Sequence, residues 1–322
     1  MATYFTYSSE GIKENLSDLI YSIAPEETPF MSNIGRRQVS NTLYEWQEDT
    51  LSAAGDSAII EGGAATSTQT APKRMQNYAQ LNAKRVTVSG TLEAVDKAGR
   101  NSELQYELAR KSSELKRDME FALTQNQIAV AGDSSTARKT AGLESWLRTN
   151  TSRGSGGTTD GADPELSATT SGFPDTAPVD ASSDAERALT EALLKTIVQE
   201  VWTEGGDPSI LMVGAANKQV VSGFAGIAAQ RYMAPNDAPS TIIGAADVYV
   251  SDFGSVQVVP NRFQRNRTAF VLDPEYAEVA FLRDFEVQDL AKTGDAEDRQ
   301  IVVEFGLQVS NEKAHGVIAD LS

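Results

Sequence analysis

A single long helical pattern constrains this chain more than any other feature of its sequence. Residues 101–131 place apolar side chains on one helical face, at Leu104, Leu108, Leu115, Met119 and Ala122. Ser102 and Gln105 have the spacing of an N-terminal cap, and Gly132 is a residue type that commonly follows a last helical turn. At 1.5 Å per residue this helix would be about 45 Å long, longer than most globular helices. The pattern indicates an elongated subunit rather than a compact enzyme.

Two pairs of alternating segments predict two long β-hairpins beside this helix. Residues 40–48 and 78–92 alternate between apolar and polar positions, and a stretch of small residues over 52–70 separates them. Residues 284–291 and 300–310 form the second pair. The first pair predicts a hairpin with a long tip, for which an ordinary surface loop is the alternative interpretation.

The remaining patterns complete an α+β chain. Helices are predicted over 11–23, 183–205 and 215–225, and strands at 210–213, 248–250, 256–259, 269–272 and 279–282. Residues 149–183 are rich in Gly, Ser, Thr and Asp, which is typical of a flexible linker or a large surface loop. The helix–strand–helix order around 210–213 predicts a mixed α/β unit.

The residue types present exclude several classes of chemistry. Among 322 residues there is no cysteine and one histidine, His315, so disulfides, thiolate metal sites and thiol nucleophiles are excluded and a Ser-His-Asp triad is disfavoured. Glu312 and His315 have the spacing of half of a carboxylate di-iron site, but such a site needs a second histidine. We expect no cofactor, no metal and no catalytic residue, and a carboxylate-based hydrolase remains as a remote alternative.

The charge and hydropathy of the chain limit its surroundings. The net charge of −17 argues against tight binding of nucleic acid, because phosphates would be repelled. No segment approaches 18 consecutive apolar residues, so we expect no membrane span. The first residues lack the basic and apolar regions of a signal peptide, so we expect a soluble protein that is made inside a cell.

Oppositely charged segments predict a contact between subunits. No acidic residue lies between Glu61 and Glu93, and the basic residues of that region are Lys73, Arg74, Lys84 and Arg85. The region of the second hairpin is acidic, with Asp284, Glu286, Asp289, Asp295, Glu297 and Asp298 as its candidate contacts. A basic and an acidic hairpin in one chain would attract like subunits in one register, and salt would weaken that attraction. The alternative is that these are two unrelated solvated faces.

Several short segments resemble, in order along the chain, the major head proteins of tailed phages. They are Thr28–Phe30, Tyr44–Asp49, Asn77–Gln80, Val88–Thr91, Glu114–Glu120 and the C-terminal run from Lys292 to Gly316. The resemblance covers both ends and the centre of the chain, and it is weakest over 149–183, which looks like a lineage-specific insertion.

The resemblance implies a Hong Kong 97-type capsid fold. Its parts would be an N-terminal arm at 1–34, an extended E-loop at 35–92, the spine helix of the peripheral domain at 93–138, the axial domain at 139–274 (with 149–183 as a flexible insertion), the long peripheral-domain strands at 275–312 and a C-terminal segment at 313–322. Each subunit would lay its E-loop over the peripheral domain of a neighbour.

The resemblance also implies a function and partners. The chain would be the major capsid protein of a tailed phage, assembling as hexamers and pentamers into an icosahedral shell around double-stranded DNA, without sequence-specific DNA binding. Its further partners would be a portal and possible scaffolding or decoration proteins. It would reside in the virion, and in the host cytoplasm during assembly. An encapsulin-like nanocompartment shell shares the fold and stays open as an alternative.

Overall fold

Two β-sheets joined by a long helix form the frame of the molecule. The structure is a computed structural model and describes residues 27–51, 54–64, 71–96, 102–166, 172, 174–224, 247–292 and 294–322. The predicted helix over 11–23 lies outside the described residues. Within them no helix is both long and apolar enough to cross a membrane.

The elements follow one another in the order α1, β1–β4, α2, α3, β5–β7, α4, β8, α5 and β9–β14. The helices are α1 Pro29–Asn33, α2 Gly90–Ala94, α3 Glu103–Thr124, α4 Glu191–Thr203 and α5 Ala215–Ser222. The strands are β1 Gly35–Gln38, β2 Leu43–Glu48, β3 Lys73–Tyr78, β4 Gln80–Ser89, β5 Thr151–Ser152, β6 Glu165–Leu166, β7 Pro174–Thr176, β8 Ile210–Val213, β9 Val248–Ser251, β10 Gly254–Pro260, β11 Ala269–Leu272, β12 Ala277–Asp289, β13 Ala296–Val309 and β14 Gly316–Ile318.

The strands form one long-stranded sheet, one wider sheet and two small pairs. The four-stranded sheet has the order β1-β12-β13-β4, in which the long strands β12 and β13 are antiparallel. The six-stranded sheet has the order β5-β14-β11-β8-β10-β9. Strands β2 and β3 pair with each other, as do β6 and β7.

The hydrophobic core joins the two sheets. Its largest cluster runs from α1 and β2 through α3 to the inner side chains of β12 and β13, and it includes Met212 and Phe270 of the six-stranded sheet. Within it the rings of Trp46 and Trp146 lie 5.3 Å apart. A second cluster packs α4 and α5 on the other face of the six-stranded sheet. Strands β8 and β11 are accordingly continuous apolar runs in which every residue is buried, because both faces of the sheet are covered.

The predicted long helix is present but shorter than its periodicity indicated. Ser102 caps α3 by accepting a hydrogen bond from the Gln105 backbone N–H at 3.2 Å, as predicted. The helix ends at Thr124, and Gln125 is extended, so the prediction of an end at 131 before Gly132 is wrong. Gly132 instead adopts φ +75° in a turn between Val130 and Lys139, which pair as an isolated bridge. At 22 residues the helix is about 33 Å long.

The first predicted hairpin is correct in its outgoing strand and wrong in its return strand. Strand β2 pairs with β3, with Glu48 opposite Lys73, so the hairpin spans 43–78. Strand β4, which makes up most of the predicted return segment 78–92, pairs instead with β13 of the four-stranded sheet. The chain crosses from one sheet to the other at Ala79, which is fully buried. The second predicted hairpin is confirmed as β12 and β13.

Residues 149–183 are not a free linker where the structure describes them. Strand β5 adds to the six-stranded sheet by pairing with β14. The buried carboxylate of Asp320 accepts hydrogen bonds from the backbone N–H groups of Gly154, at 3.0 Å, and Ala181, at 2.7 Å. The following helix begins at Glu191 with Thr190 as its cap, so the predicted start at Ser183 is also wrong.

Candidate assembly surfaces

The base of the β2–β3 hairpin is fixed to the body of its own chain. Tyr44 and Trp46 point into the core, and the Tyr44 hydroxyl donates to the backbone oxygen of Leu307 at 2.8 Å. The Asn77 amide donates to the same oxygen at 2.6 Å. A glycine at 306 is required there, because a Cβ would lie 2.3 Å from the Tyr44 hydroxyl oxygen. Burial raises the pKa of Tyr44, so its hydroxyl stays protonated and able to donate.

Beyond that base the hairpin is exposed to solvent where the structure describes it. We call residues 49–74 the arm. Every described residue of the arm is exposed. Leu51 is 99% exposed, Ile60 86% and Ile59 60%, although each is a large apolar side chain. Exposed apolar side chains grouped on one projection are typical of a surface that is covered by a partner.

The arm is acidic along most of its length, and the prediction of a basic hairpin is therefore wrong. Residues 49–72 contain Asp49, Asp56 and Glu61 and no lysine or arginine. The basic pair Lys73 and Arg74 lies at the start of the return strand β3. The other two predicted basic contacts, Lys84 and Arg85, belong to β4. The sequence could not show that Lys84 and Arg85 lie outside the hairpin, because the charge pattern does not reveal which strands pair.

Three of the four predicted basic contact residues have acidic partners in their own chain, and two of the three belong to β4. Arg74 of β3 lies 3.7 Å from Glu45 of β2. Lys84 lies 2.6 Å from Asp118 of α3. Arg85 lies 2.6 Å from Asp298 of β13, and the Thr87 hydroxyl donates to the same carboxylate. Hydrogen bonds from these groups lower the pKa of Asp298, so it stays ionised. The two pairs on β4 hold that strand within its own subunit.

The remaining acidic candidates lie around the distal end of β12 and β13. Asp284, Glu286 and Asp289 lie on exposed positions of β12, and Asp289 is 2.8 Å from Arg299. Glu297 is 3.0 Å from Lys292. The backbone oxygen of Asp295 accepts from Gly90 N–H at 3.1 Å. The structure thus brings the acidic candidates together at one end of the sheet, while Lys73 and Arg74 lie on the hairpin.

A basic edge lies at the other end of the same side of that sheet. Strand β1 pairs with β12 only over residues 278–281, and all four of its residues are exposed. Two of them are Arg36 and Arg37. An open groove of about 590 Å³ continues from Arg37 to Glu45, where the chain turns towards β2.

A buried carboxylate that the sequence did not reveal holds the segment before β1. Glu120 of α3 accepts hydrogen bonds from the backbone N–H groups of Phe30, at 2.7 Å, and Met31, at 2.9 Å. It also accepts from the Asn261 amide at 2.7 Å. Burial raises the pKa of Glu120, against the effect of these three hydrogen bonds. The start of the described chain is thereby fixed to the long helix.

A second buried carboxylate ties three distant segments together. Glu144 is fully buried and lies 2.9 Å from Arg265 and 3.5 Å from Arg153. Arg265 also pairs with Asp180, and Arg153 lies 2.6 Å from Asp163. Burial raises the pKa of Glu144, and the two guanidinium groups oppose that rise. Arg153, Asp163 and Asp180 lie in the predicted insertion 149–183, so this network fixes that segment to the rest of the subunit.

The residues considered for metal chemistry do not form a site. The carboxylate of Glu312 accepts from the hydroxyl and backbone N–H of Thr149, and His315 Nδ1 accepts from the Asp273 backbone N–H at 3.3 Å. Each group is therefore used inside the fold. Among the described residues no group of three or more histidine, aspartate or glutamate side chains is placed to hold a metal ion.

Comparison with known proteins gives one family along the whole sequence. The family described as SU10 major capsid protein matches residues 1–322. A major capsid protein of Escherichia phage Phieco32 is 26% identical over 351 residues, covering 98% of this chain and 96% of that protein.

Solved structures share the fold. The capsid asymmetric unit of cyanophage A-1(L) superimposes with a TM-score of 0.70 at 12% identity, covering 98% of each chain. The holo-SrpI encapsulin complex of Synechococcus elongatus PCC 7942 gives a TM-score of 0.56 at 9% identity, covering 100% of this chain and 97% of the other. These identities support a shared fold and nothing finer.

Proposed function

The chain belongs to the SU10 major capsid protein family and is a major capsid protein of a tailed phage with a Hong Kong 97-type fold, and from this premise we propose that its arm joins subunits into a closed icosahedral shell. The single observation that supports the arm's role is its exposure. Its apolar residues Leu51, Ile59 and Ile60 have no cover from the described part of their own chain.

The body and the arm would have different roles in assembly. The body has a continuous core that includes both sheets and α3, so most of its described apolar side chains are buried without a neighbour. The arm gains contacts only when a second copy supplies them. A shell built from many such contacts can break and re-form each one during assembly, and its final stability comes from their number.

We assign the parts of the chain to the capsid fold as follows. Residues 1–34 would be the N-terminal arm of the fold, 35–92 the E-loop, 93–138 the spine helix, 139–274 the axial domain, 275–312 the long strands and 313–322 the C-terminal segment. The hairpin over 43–78 supports the E-loop assignment, whereas β4 belongs by its pairing to the sheet of the long strands.

The partners of the shell follow from the same proposal. Copies of the chain would form hexamers and pentamers, with a portal and possible scaffolding or decoration proteins as additional components. The net charge of −17 would let packaged double-stranded DNA slide along the inner wall, because like charges repel. Assembly would take place in the host cytoplasm, and we propose no catalytic role for any residue.

Electron microscopy of the purified protein tests this function directly. We expect the full-length chain to form rings or closed shells, and a variant lacking residues 52–70 to remain as folded subunits with an unchanged circular dichroism spectrum. Normal shells from the deletion variant would contradict the role of the arm. Particles isolated from lysed hosts should contain DNA and carry tails, whereas cargo protein without DNA would favour the encapsulin-like alternative.

A further inference from the structure

The insertion over 149–183 contains a stem in which two antiparallel stretches of chain face each other. Strands β6 and β7 pair, and next to them Ala162 and Val179 exchange both backbone hydrogen bonds, at 3.0 and 2.9 Å. The Asn126 side chain, just beyond α3, donates to the backbone oxygen of Pro178 at 2.8 Å. The stem is therefore an ordered structure that is fixed to the body.

The stem reaches the return strand of the arm hairpin. Gly172 lies between β6 and β7 with φ +68°, and its backbone lies against Arg74 and Met75 of β3. A Cβ on Gly172 would be 2.5 Å from Met75 Sδ and 2.8 Å from the Arg74 backbone oxygen. Leu166 of β6 also packs against the largest core cluster, to which Met75 belongs. The insertion thus contacts the arm at its root.

Glycine at 172 meets two separate requirements. Its left-handed φ favours a residue without a Cβ, and the close approach to β3 leaves no room for one. The Met75 sulfur ends a flexible side chain and can move aside, whereas the Arg74 oxygen belongs to the backbone and can move only with its strand. A side chain at 172 would therefore displace β3 or separate the insertion from it.

Strand β3 is fixed by the body at a second point. Asn77 donates to the backbone oxygen of Leu307 at 2.6 Å, two residues beyond Met75. One fixed point allows a strand to pivot, whereas two fixed points define its direction. The contact with Gly172 supplies the second point, on the side of Asn77 that leads to the arm.

A small rotation at this root becomes a large displacement along the arm. Thr50 lies six residues beyond Tyr44, the partner of Asn77, which is about 20 Å along the hairpin. Rotating the hairpin by about 10° at Asn77 would move Thr50 by about 3.5 Å, and residues farther along the arm by more. Side-chain contacts need heavy atoms within about 4.5 Å, so a displacement of this size breaks or changes a contact with a neighbour.

We propose that the insertion over 149–183 is a brace that sets the direction of the arm, with Gly172 as the positioning residue at the contact with β3. This inference rests on the proposed function and deepens it, because it assigns control of the angle between joined copies to a contact inside each subunit. With the brace in place, every copy presents its arm at the same angle, and shells have one diameter. Without it, copies join at several angles.

Distances between spin labels on unassembled subunits test the brace, since the natural chain contains no cysteine. Labels are attached at Thr50→Cys and Ala109→Cys, on exposed positions of the arm and of α3, and pulsed electron paramagnetic resonance gives their distance distribution. Adding Gly172→Val should shift or widen that distribution by about 3 Å. The matched control is Gly156→Val, in the same insertion and with φ +90°, where a Cβ would meet no atom of the described residues within 4 Å. It should leave the distribution unchanged.

Urea unfolding first establishes that both valine variants are folded. If Gly172→Val does not fold, Gly172→Ala introduces the same Cβ, and Gly156→Ala is its control. A folded variant at 172 whose distance distribution equals that of the parent would overturn the proposal.

Electron microscopy of the same variants without labels gives the second readout. Gly172→Val should form shells of mixed diameter or open sheets, and Gly156→Val should form shells of the parental diameter. Uniform shells of the parental diameter from Gly172→Val would refute the role of the brace, even with a changed distance distribution. The proposed function fails separately, if deletion of residues 52–70 leaves shell formation unchanged, because the distance measurement does not depend on assembly.

Discussion

The one histidine of the chain gives a measurable dependence of stability on pH. His315 is completely buried, and its Nδ1 accepts a hydrogen bond from the Asp273 backbone N–H at 3.3 Å. Burial disfavours the charged imidazolium and lowers the pKa from 6.5 to about 4. The folded protein therefore requires the neutral ring, in which Nδ1 is free to accept.

The sign and size of the effect follow from this difference in pKa. The unfolded chain binds a proton on His315 near pH 6.5, and the folded chain does so only near pH 4, so acid stabilises the unfolded state. The stability of the folded state that depends on a neutral His315 is fully present above pH 6.5 and is lost as the pH falls towards 4. Between pH 7 and pH 5 the free energy of unfolding should fall by about 2 kcal/mol from this one group.

Urea unfolding of unassembled subunits at pH 7 and pH 5 measures this loss. The matched control is His315→Gln, which cannot titrate in this range but keeps an oxygen that can accept from Asp273 N–H. Subtracting the pH dependence of the variant removes the titration of the acidic groups that the two proteins share. A difference between the two pH dependences of less than about 0.5 kcal/mol would refute the assignment of His315 as a buried neutral ring.

Four further outcomes are expected. Glu120→Ala should lower the free energy of unfolding by about 3–5 kcal/mol in a urea titration, because three buried donors lose their acceptor; a loss below about 1 kcal/mol would contradict this. Gly306→Ala should cost about 1–3 kcal/mol through its clash with Tyr44, and Tyr44→Ala in the same chain should cancel part of that cost. Arg265→Leu should destabilise by about 3 kcal/mol by leaving Glu144 with less compensation, and a neutral result would show that the network is not needed. Raising salt from about 0.1 to 1 M should slow shell formation followed by light scattering, whereas faster assembly would mean that apolar contacts dominate.

Local periodicity identified most elements of this fold. The helical spacing over 101–131 correctly located α3, and the strand patterns located β8, β11, β12 and β13, because each of these elements buries one face or both. The predicted ends of helices were less accurate than their predicted positions along the chain. Residues 128–131 are apolar, but Val130 pairs with Lys139 as an isolated bridge and the helix has already ended at Thr124.

Strand partners could not be read from the same patterns. Alternation shows that a segment is a strand, but it does not say which strand lies beside it. Strand β4 follows the hairpin directly, yet it pairs with β13, more than two hundred residues away in sequence. The charge argument was limited for the same reason: Arg85 lies on β4 and pairs with Asp298 inside the subunit, so it is not part of the hairpin, while the contacts between subunits stay a prediction.

Buried carboxylates were the main feature that sequence reasoning missed. Glu120, Glu144, Glu312 and Asp320 are all acidic residues in a strongly acidic chain, so nothing in composition distinguishes them from surface residues. Their partners come from segments far away in sequence, as with Glu120 and the backbone of Phe30. Only the folded arrangement brings donors to these carboxylates, and an unpaired buried charge would be too costly to persist.

These buried groups explain how one chain can combine a fixed body with an arm that depends on neighbours. Glu120 and Glu144 connect α1, α3 and the loops around the six-stranded sheet, so the body holds its shape through contacts within the subunit. The hairpin base shares this rigidity through Tyr44 and Asn77, which fix the direction in which the arm leaves the body. An arm with a fixed origin loses less orientational freedom when it binds, because its root is already placed. A modest contact at the far end can therefore suffice to join subunits, and repetition around a shell makes the assembly stable.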